Sequence, residues 1–282
     1  MSRVDRVGLG WRPELAAGIL AHVDAIDVVE VIADDYVAAG RRDLRALRTL
    51  GTQVPVLLHG VGLGLASAAP VETRRLDGLA RVIGAVEPEA WSEHLAFVRG
   101  GGRELGHLAA PPRSEATLAG LAANVARARA VVGTAPALEN VATLIDPPGS
   151  ERAEPVWLAE VPAVTGCDLL LDLHNLHANA VNFGFDARAA LRDLPLARVR
   201  QVHLAGGAWI TARSGERRVL DDHRHDVPEA VFELLGELAA LAPVPLTVIL
   251  ERDGDYPTFA RLLEELERAR AALSRGRMQA AA

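Results

Sequence analysis

The chain has 282 residues, a formal net charge of −7 and one cysteine. The acidic balance argues against general binding to nucleic acid or to anionic membranes, because both attract positively charged protein surfaces. One cysteine excludes an internal disulfide, and no apolar run reaches the roughly 18–20 residues that span a bilayer. The first residues lack the pattern of a secretory signal. We therefore expect a soluble cytoplasmic protein.

Eight short apolar segments alternate with longer amphipathic segments along the chain. The predicted strands lie near Val7 and Val28, end at His59 and His94, lie near Glu139, end near Leu173, include His203 and end at Glu251. Short apolar runs suit strands buried on both faces, and the segments between them have helical periodicity. Eight such repeats predict one domain over residues 1–282, an α/β fold of the (β/α)8 barrel type, with the barrel at about 7–274 and a tail at 275–282. An open doubly wound sheet is the alternative.

Polar residues occur at the carboxyl ends of six successive predicted strands and in the loop after the seventh. In a parallel barrel these ends meet at one mouth, where the active site of the fold forms. Imidazole and carboxylate groups are ligands of iron, manganese and zinc, and four carboxylates at one mouth need cations to offset their charge. We therefore predict a centre of two or three metal ions with the ligands His59, His94, Glu139, Asp172, Asn175, His203, Asp221, His223 and Glu251.

Each of these residues, taken alone, has a simpler interpretation. A single histidine such as His59 is often a hydrogen-bonded core residue, and Glu139 or Glu251 can form an ion pair at the barrel mouth. The pattern over successive strands, rather than any one residue, favours the metal centre. The segment from about Gly206 to Val227 is predicted to be a long irregular loop, and its Arg, Asp and His content indicates a functional one.

Five further residues are candidates for supporting roles. Arg12, Glu30 and His174 are predicted to bind substrate or to hold a metal ligand in place, and Asp35 and His225 to move protons. Helix capping or a surface ion pair is the alternative for Arg12. A solvated acidic loop is the alternative for Glu30 and Asp35, and simple solvent exposure is the alternative for His225.

A set of motifs in a fixed order resembles the DUF692 family, the multinuclear non-heme iron-dependent oxidases. The motifs are GLGWRPEL, LHGVGL, SEHL, LEN, DLHN, AVNFGFD, HLAG, Asp221-x-His223 and LERD, and they cover the chain from about Val7 to Asp253. The resemblance implies a xylose-isomerase-like TIM barrel, related to endonuclease IV, and metal roles for the nine predicted ligands. The position of Asn175 is a histidine in endonuclease IV, and this difference favours the iron oxidases over the nuclease.

The resemblance also implies cofactors and partners. These are two or three iron ions in a mixed Fe(II)/Fe(III) state, O2 as co-substrate, a ribosomally synthesised precursor peptide that is often modified at cysteine, and a separate protein that presents the peptide. Two segments depart from the family pattern. Asp34-Asp35-Tyr36 stands where the family has an acidic residue, Asn and Tyr, and the segment from Asp172 to Asn175 reads DLHN where the family often has DVNN.

Two other functions remain open from the sequence. A zinc- or manganese-dependent hydrolase or isomerase would use the same ligands to activate water or a substrate. A non-catalytic module that binds metal or peptide is the second alternative. The complete ligand set counts against it, because a vestigial centre is expected to have lost carboxylates to apolar residues.

Overall fold

A computed structural model describes residues 4–211, 213 and 215–281 of the chain. Its strands are β1 (Arg6–Gly10), β2 (Val29–Ile32), β3 (Val56–Gly60), β4 (Ala90–His94), β5 (Phe97–Gly100), β6 (Arg103–Ala109), β7 (Ala137–Glu139), β8 (Leu169–Asp172), β9 (Val199–Leu204), β10 (Gly207–Thr211), β11 (Arg217–Asp221) and β12 (Thr247–Leu250). Eight of them form a closed barrel in the order β1-β12-β9-β8-β7-β4-β3-β2. The predicted (β/α)8 barrel is confirmed, and the open doubly wound sheet is wrong.

The helices follow the barrel strands, as the fold requires. They are α1 (Ala16–Ala21), α2 (Arg41–Leu50), α3 (Thr73–Val86), α4 (Glu115–Val132), α5 (Glu154–Thr165), α6 (Leu173–Phe183), α7 (Ala187–Asp193), α8 (Glu229–Leu241) and α9 (Phe259–Ala281), with short 3-10 turns at Val23–Ala25, Ala33–Tyr36 and Leu196–Arg198. Residues 275–281 were predicted to form a tail after the barrel, and they lie in helix α9. None of the helices within the described residues is both long and apolar enough to cross a membrane.

The chain divides into two compact units, which are described separately. Unit 1 consists of residues 1–28, 142–146 and 170–282, and unit 2 consists of residues 29–141 and 147–169. Unit 2 contains β2 to β7, and within it β3 pairs in parallel with β2 and β4. Unit 1 contains β1, β9 to β12 and most of β8, and within it β12 lies between β1 and β9.

The core of unit 2 follows from the spacing of its apolar residues. Helix α2 buries Leu44, Leu47 and Leu50, which recur every three residues on one face. Every residue of β3 is buried, as expected for a parallel strand that is covered on both faces. The Ser114 hydroxyl accepts a hydrogen bond from the backbone N–H of Thr117 at 3.3 Å and caps α4.

Two antiparallel hairpins were not predicted from the sequence. Strands β5 and β6 form one of them, and β10 and β11 form the other. The prediction of an irregular loop between Gly206 and Val227 is therefore wrong in part, since β10 and β11 pair from Gly207 with Asp221 to Thr211 with Arg217. This pairing places the predicted ligand Asp221 at the end of β11.

Candidate metal centre

Three predicted ligands come together in unit 2 and are called the unit 2 cluster: His59, His94 and Glu139. His94 on β4 is directly opposite Glu139 on β7 in the strand register. The Nε2 atoms of His59 and of His94 each lie 3.3 Å from Glu139 Oε2. All three side chains are largely buried, with His94 the most exposed at 12%. Two imidazoles therefore converge on one carboxylate oxygen away from bulk water.

Hydrogen bonds on the far side of each ring set the orientation of the two imidazoles. His94 Nδ1 lies 3.1 Å from the carbonyl oxygen of Gly60, and a carbonyl only accepts, so Nδ1 carries the hydrogen. In the neutral ring the Nε2 lone pair is then available to a metal ion. His59 Nδ1 lies 2.8 Å from the hydroxyl of Ser92, which is fully buried. Such contacts on the second ring nitrogen are typical of metal-binding histidines.

Glu93 is a buried carboxyl group next to this cluster that sequence reasoning did not single out. Its Oε1 accepts a hydrogen bond from the backbone N–H of Leu63 at 2.8 Å. Burial raises the pKa of Glu93 to about 7, although the neighbouring His94 lowers it in part. The signal in the sequence was a glutamate in the middle of an otherwise buried strand, where an acid is rare without a specific role.

Five of the other six predicted ligands come together in unit 1 and are called the unit 1 cluster: Asp172, His203, Asp221, His223 and Glu251. Asp172, His203 and Glu251 each offer a ligand atom, and these atoms lie within 4.8 Å of one another. His203 Nδ1 is 3.0 Å from Glu251 Oε2, and His223 Nδ1 is 3.3 Å from the same oxygen. His223 Nε2 is 3.0 Å from Asp221 Oδ1 and 3.9 Å from Asp172 Oδ2.

Asp221 and His223 shift each other's pKa because they lie within ion-pair distance. Burial alone raises the pKa of the Asp221 carboxyl, but His223 and a hydrogen bond from His174 outweigh it and hold that pKa below its ordinary value. Burial lowers the pKa of His223, and the adjacent Asp221 and Glu251 carboxylates outweigh it in turn, so the net shift is upward. Both shifts favour the charged form of the group, and a cation bound by the same carboxylates would compete with the proton on His223.

His174 contacts the predicted ligand Asp221. Its Nδ1 donates a hydrogen bond to Asp221 Oδ1 at 2.6 Å, and the ring is 1% exposed. His177 is farther from this contact, with the two ring centres 6.3 Å apart. Burial, and to a lesser degree His174, lower the pKa of His177. The hydrogen bond to Asp221 is the kind of contact that the predicted supporting role of His174 requires.

Asp172 and Asn175 are brought together at the start of α6. Asp172 is the last residue of β8 and the N-cap of α6, and its Oδ1 accepts from the backbone N–H of Asn175 at 2.7 Å. Both side chains are buried. The cap fixes Asp172 by one oxygen, and its Oδ2 is the atom that faces His223. A strand that turns directly into a helix therefore presents this carboxylate.

The remaining predicted residues lie in different settings. Arg12 Nη2 is 2.5 Å from Asp253 Oδ1 and 3.8 Å from Glu251 Oε1, so its guanidinium borders the unit 1 cluster as an ion pair. Glu30 is buried in β2. The two predicted proton carriers are at the surface: Asp35 is exposed on a 3-10 turn, and His225 is 52% exposed and donates to Asp222 at 2.9 Å.

A buried ion pair that sequence reasoning missed holds the loop that carries His223. Arg252 is 3% exposed and donates to the carbonyl of Arg224 at 2.7 Å and to Asp226 at 2.8 Å. Its Nη2 is 3.5 Å from Oε2 of Glu265, which is 1% exposed. His223 itself has a φ of 53°, which a residue with a side chain seldom adopts. These contacts therefore anchor the segment that directly follows His223.

The donor chemistry of the two clusters fits bound metal ions. The unit 2 cluster combines two imidazoles with one carboxylate, and the unit 1 cluster combines two imidazoles with three carboxylates. Nitrogen and oxygen donors of this kind suit iron, manganese and zinc. Buried carboxylates without a cation carry a large desolvation cost, which a divalent ion offsets. The residues present therefore fit a metal centre.

The chain is similar over most of its length to a known protein family and to bacterial relatives. Residues 6–274 match the family model described as RiPP precursor modification enzyme MbnB/TglH/ChrH. A UPF0276 protein of Bordetella bronchiseptica is 37% identical over 96% of this chain and 93% of its own length. A UPF0276 protein of Anaeromyxobacter is 36% identical over 93% of this chain and 90% of its own length.

Solved structures show the same fold at low sequence identity. The 3-keto-D-glucoside 4-epimerase YcjR of E. coli has a TM-score of 0.61 and 13% identity, and the alignment covers 95% of this chain and 99% of that one. An L-ribulose 3-epimerase has a TM-score of 0.61 and 14% identity, with 99% and 97% covered. These likenesses confirm the xylose-isomerase-like barrel. The family match over nearly the whole length confirms the resemblance found in the motifs, and the chain belongs to the family of RiPP precursor modification enzymes MbnB/TglH/ChrH.

Proposed function

We propose that this protein is an iron-dependent oxidase that uses O2 to modify a ribosomally synthesised peptide at a cysteine residue. The observation that carries the proposal is the pair of buried histidine–carboxylate clusters in a chain of a peptide-modifying family. The cofactor would be two or three iron ions in a mixed Fe(II)/Fe(III) state. Iron, rather than another metal, is chosen because of the motif resemblance, and the donor set is compatible with it.

The proposed metal ligands are those predicted from the sequence. His59, His94 and Glu139 would hold one ion, and the unit 1 cluster with Asn175 would hold the others. When bound, iron supplies the one-electron and O2 chemistry that side chains lack. The chain would supply the geometry, with His94 fixed by the Gly60 carbonyl and Asp221 fixed by His174.

The residues at the edge of the clusters would bind substrate and move protons. Arg12 borders Glu251 and is positioned to attract an anionic substrate group, although Asp253 competes for its guanidinium. Glu30 is buried and is proposed to stabilise a metal ligand. Asp35 and His225 are exposed, so their proposed role is proton exchange between the site and solvent. A separate protein that presents the peptide is proposed on the basis of the motif resemblance alone, as is a cytoplasmic location.

The test of this function is O2 consumption coupled to a change in peptide mass. The iron-loaded protein is incubated with cysteine-containing peptides encoded beside its gene, and O2 uptake and product mass are measured together. We expect uptake only with a peptide that gains or loses mass, and no uptake with the same peptide carrying Ser for Cys. Mass change without O2 use, or O2 use without any modified peptide, would contradict the proposal.

The alternative is a zinc- or manganese-dependent hydrolase or isomerase. It is supported by the mixed histidine and carboxylate ligands, which suit zinc and manganese as well as iron. The relatives that share the fold include sugar epimerases, but their low identity supports the barrel alone. Activity that persists without O2 and requires zinc or manganese would favour this alternative.

A further inference from the structure

A small pocket in unit 2 lies next to the unit 2 cluster and is not used by the ligands themselves. It has a volume of about 200 Å³ and is lined by Asp34, Val37, Gly60, Gly62, Leu63, Arg75 and Leu79. Gly60 follows the ligand His59 directly, and its carbonyl accepts the hydrogen bond from the ligand His94. The Gly60 backbone therefore connects the pocket to two of the predicted metal ligands, His59 and His94.

The pocket has one acidic and one basic group that do not pair with each other. Asp34 Oδ2 accepts from the backbone N–H of Val61 at 2.8 Å, and Oδ1 of the same carboxylate faces Gly62. Arg75 is tied through Nε to Glu72 at 3.1 Å and through Nη2 to Glu104 at 2.5 Å. Its Nη1 lies 3.8 Å from where a methyl group on Gly62 would be. Among the described residues, no ion pair links Asp34 to Arg75.

Two glycines, Gly60 and Gly62, line the pocket and leave the space beside their backbone without a side chain of their own. A methyl group on Gly62 would clash with Asp34 Oδ1. Arg99 donates to the carbonyl of Gly62 at 2.7 Å and to that of Leu63 at 3.0 Å, so the segment is fixed from the opposite side. A ligand would therefore meet bare backbone, a carboxylate and a guanidinium nitrogen in a pre-formed arrangement.

The rest of the lining is aliphatic and comes from three elements. Leu63 and Leu79 are buried, and Val37 is 37% exposed at the rim. The volume is below the roughly 300–1,000 Å³ of pockets that enclose a drug-sized ligand. It suits one aliphatic side chain with its backbone, and it is too small for several residues. The carboxylate oxygen of Asp34 and the guanidinium nitrogen of Arg75, which both lie near Gly62 in this lining, match the N–H and C=O groups of one peptide residue.

We propose that this pocket binds one aliphatic residue of the peptide substrate, close to the residue that is modified. Its side chain would contact Leu63 and Leu79, its N–H would donate to Asp34 Oδ1, and its carbonyl would accept from Arg75 Nη1. The choice of a peptide as occupant rests on the proposed function. The location and the aliphatic preference rest on the pocket itself.

The test is binding of the tripeptide Gly-Leu-Gly to the purified full-length protein, measured by saturation-transfer NMR and by calorimetry. We expect saturable binding that is at least ten-fold weaker for Gly-Gly-Gly and for Gly-Lys-Gly. Gly62→Ala is expected to weaken Gly-Leu-Gly binding at least ten-fold. Gly84→Ala on α3 is the matched control, because a methyl group there meets nothing within 4 Å, and it is expected to bind as the unchanged protein does.

A second variant keeps the test decisive if Gly62→Ala fails to fold. Arg75→Gln removes the guanidinium that faces the pocket and breaks only ion pairs that are partly exposed, so it is expected to fold and to bind the tripeptide at least ten-fold more weakly. Equal binding of Gly-Leu-Gly and Gly-Gly-Gly, no binding of either, or unchanged binding in Arg75→Gln would overturn the pocket assignment. These readouts do not depend on metal or O2, so the proposed oxidase function can fail separately.

Discussion

The Arg252–Glu265 pair offers the sharpest test of how the fold holds the unit 1 cluster. Arg252→Met keeps an apolar stem of similar length but removes hydrogen bonds to Arg224 and Asp226, and it leaves the Glu265 carboxyl buried without its cation. Removing one partner of a buried pair costs about 3–5 kcal/mol. We expect the unfolding free energy to fall by about 3 kcal/mol, the lower end of this range. Burial raises the pKa of Glu265, so the carboxyl can take up a proton and avoid a buried charge when Arg252 is absent.

The assay is urea denaturation together with metal analysis of the folded variant. Arg261→Met is the matched control, because Arg261 pairs with the same Asp226 but is 38% exposed, and its loss is expected to cost at most about 1 kcal/mol. Since the pair anchors the loop that carries His223, Arg252→Met is also expected to lose metal from the unit 1 cluster. Equal stability of the two variants, with unchanged metal content, would refute the reasoning.

Two further predictions concern positioning and pH. Ser92→Ala removes the buried contact to His59, and we expect the metal affinity of the unit 2 cluster to fall about 10–100-fold in a competitive chelator titration. The control Ser67→Ala is expected to leave the affinity unchanged, and equal affinities in the two variants would count against the role of the contact. For Glu265, burial raises the folded pKa above its ordinary value of 4.5, so the folded chain holds this proton at a pH where the unfolded chain has lost it. In denaturation curves, the unfolding free energy of the unchanged protein should therefore rise relative to that of Glu265→Gln as pH falls toward 4.5, and should lose this gain as pH rises. Glu264→Gln, at an exposed position, should show no such trend. A stability difference between the protein and Glu265→Gln that does not change with pH, or changes in the opposite direction, would contradict the effect of burial on Glu265.

The barrel was predictable because its strands are short, apolar and evenly interrupted by helical segments. The hairpin β10–β11 was not, because its two strands are short and only Val219 among their residues is buried, so neither has the continuous apolar run of a barrel strand. The hairpin β5–β6 has the same character, with most of β6 exposed. Strand ends were predicted to within one or two residues, as seen for Glu251, which follows β12 directly.

The candidate ligands were predictable because a parallel barrel places all carboxyl strand ends on one side. What the sequence did not indicate was the set of contacts that hold them. The bonds from His94 to the Gly60 carbonyl and from His174 to Asp221 depend on the register of neighbouring elements. Arg252 and Glu265 are 13 residues apart, and nothing in their local pattern predicts that they meet in the core.

The most direct test of the central claim is the metal content of protein made in iron-supplemented medium and purified without oxygen. Metals per chain are counted by mass spectrometry, and iron states are read by Mössbauer spectroscopy. We expect two or more irons per chain, with iron lost in His94→Ala and in Glu251→Ala but kept in the surface variant His107→Ala. Stoichiometric zinc that iron does not replace would contradict the iron oxidase and put metal-assisted hydrolysis in its place.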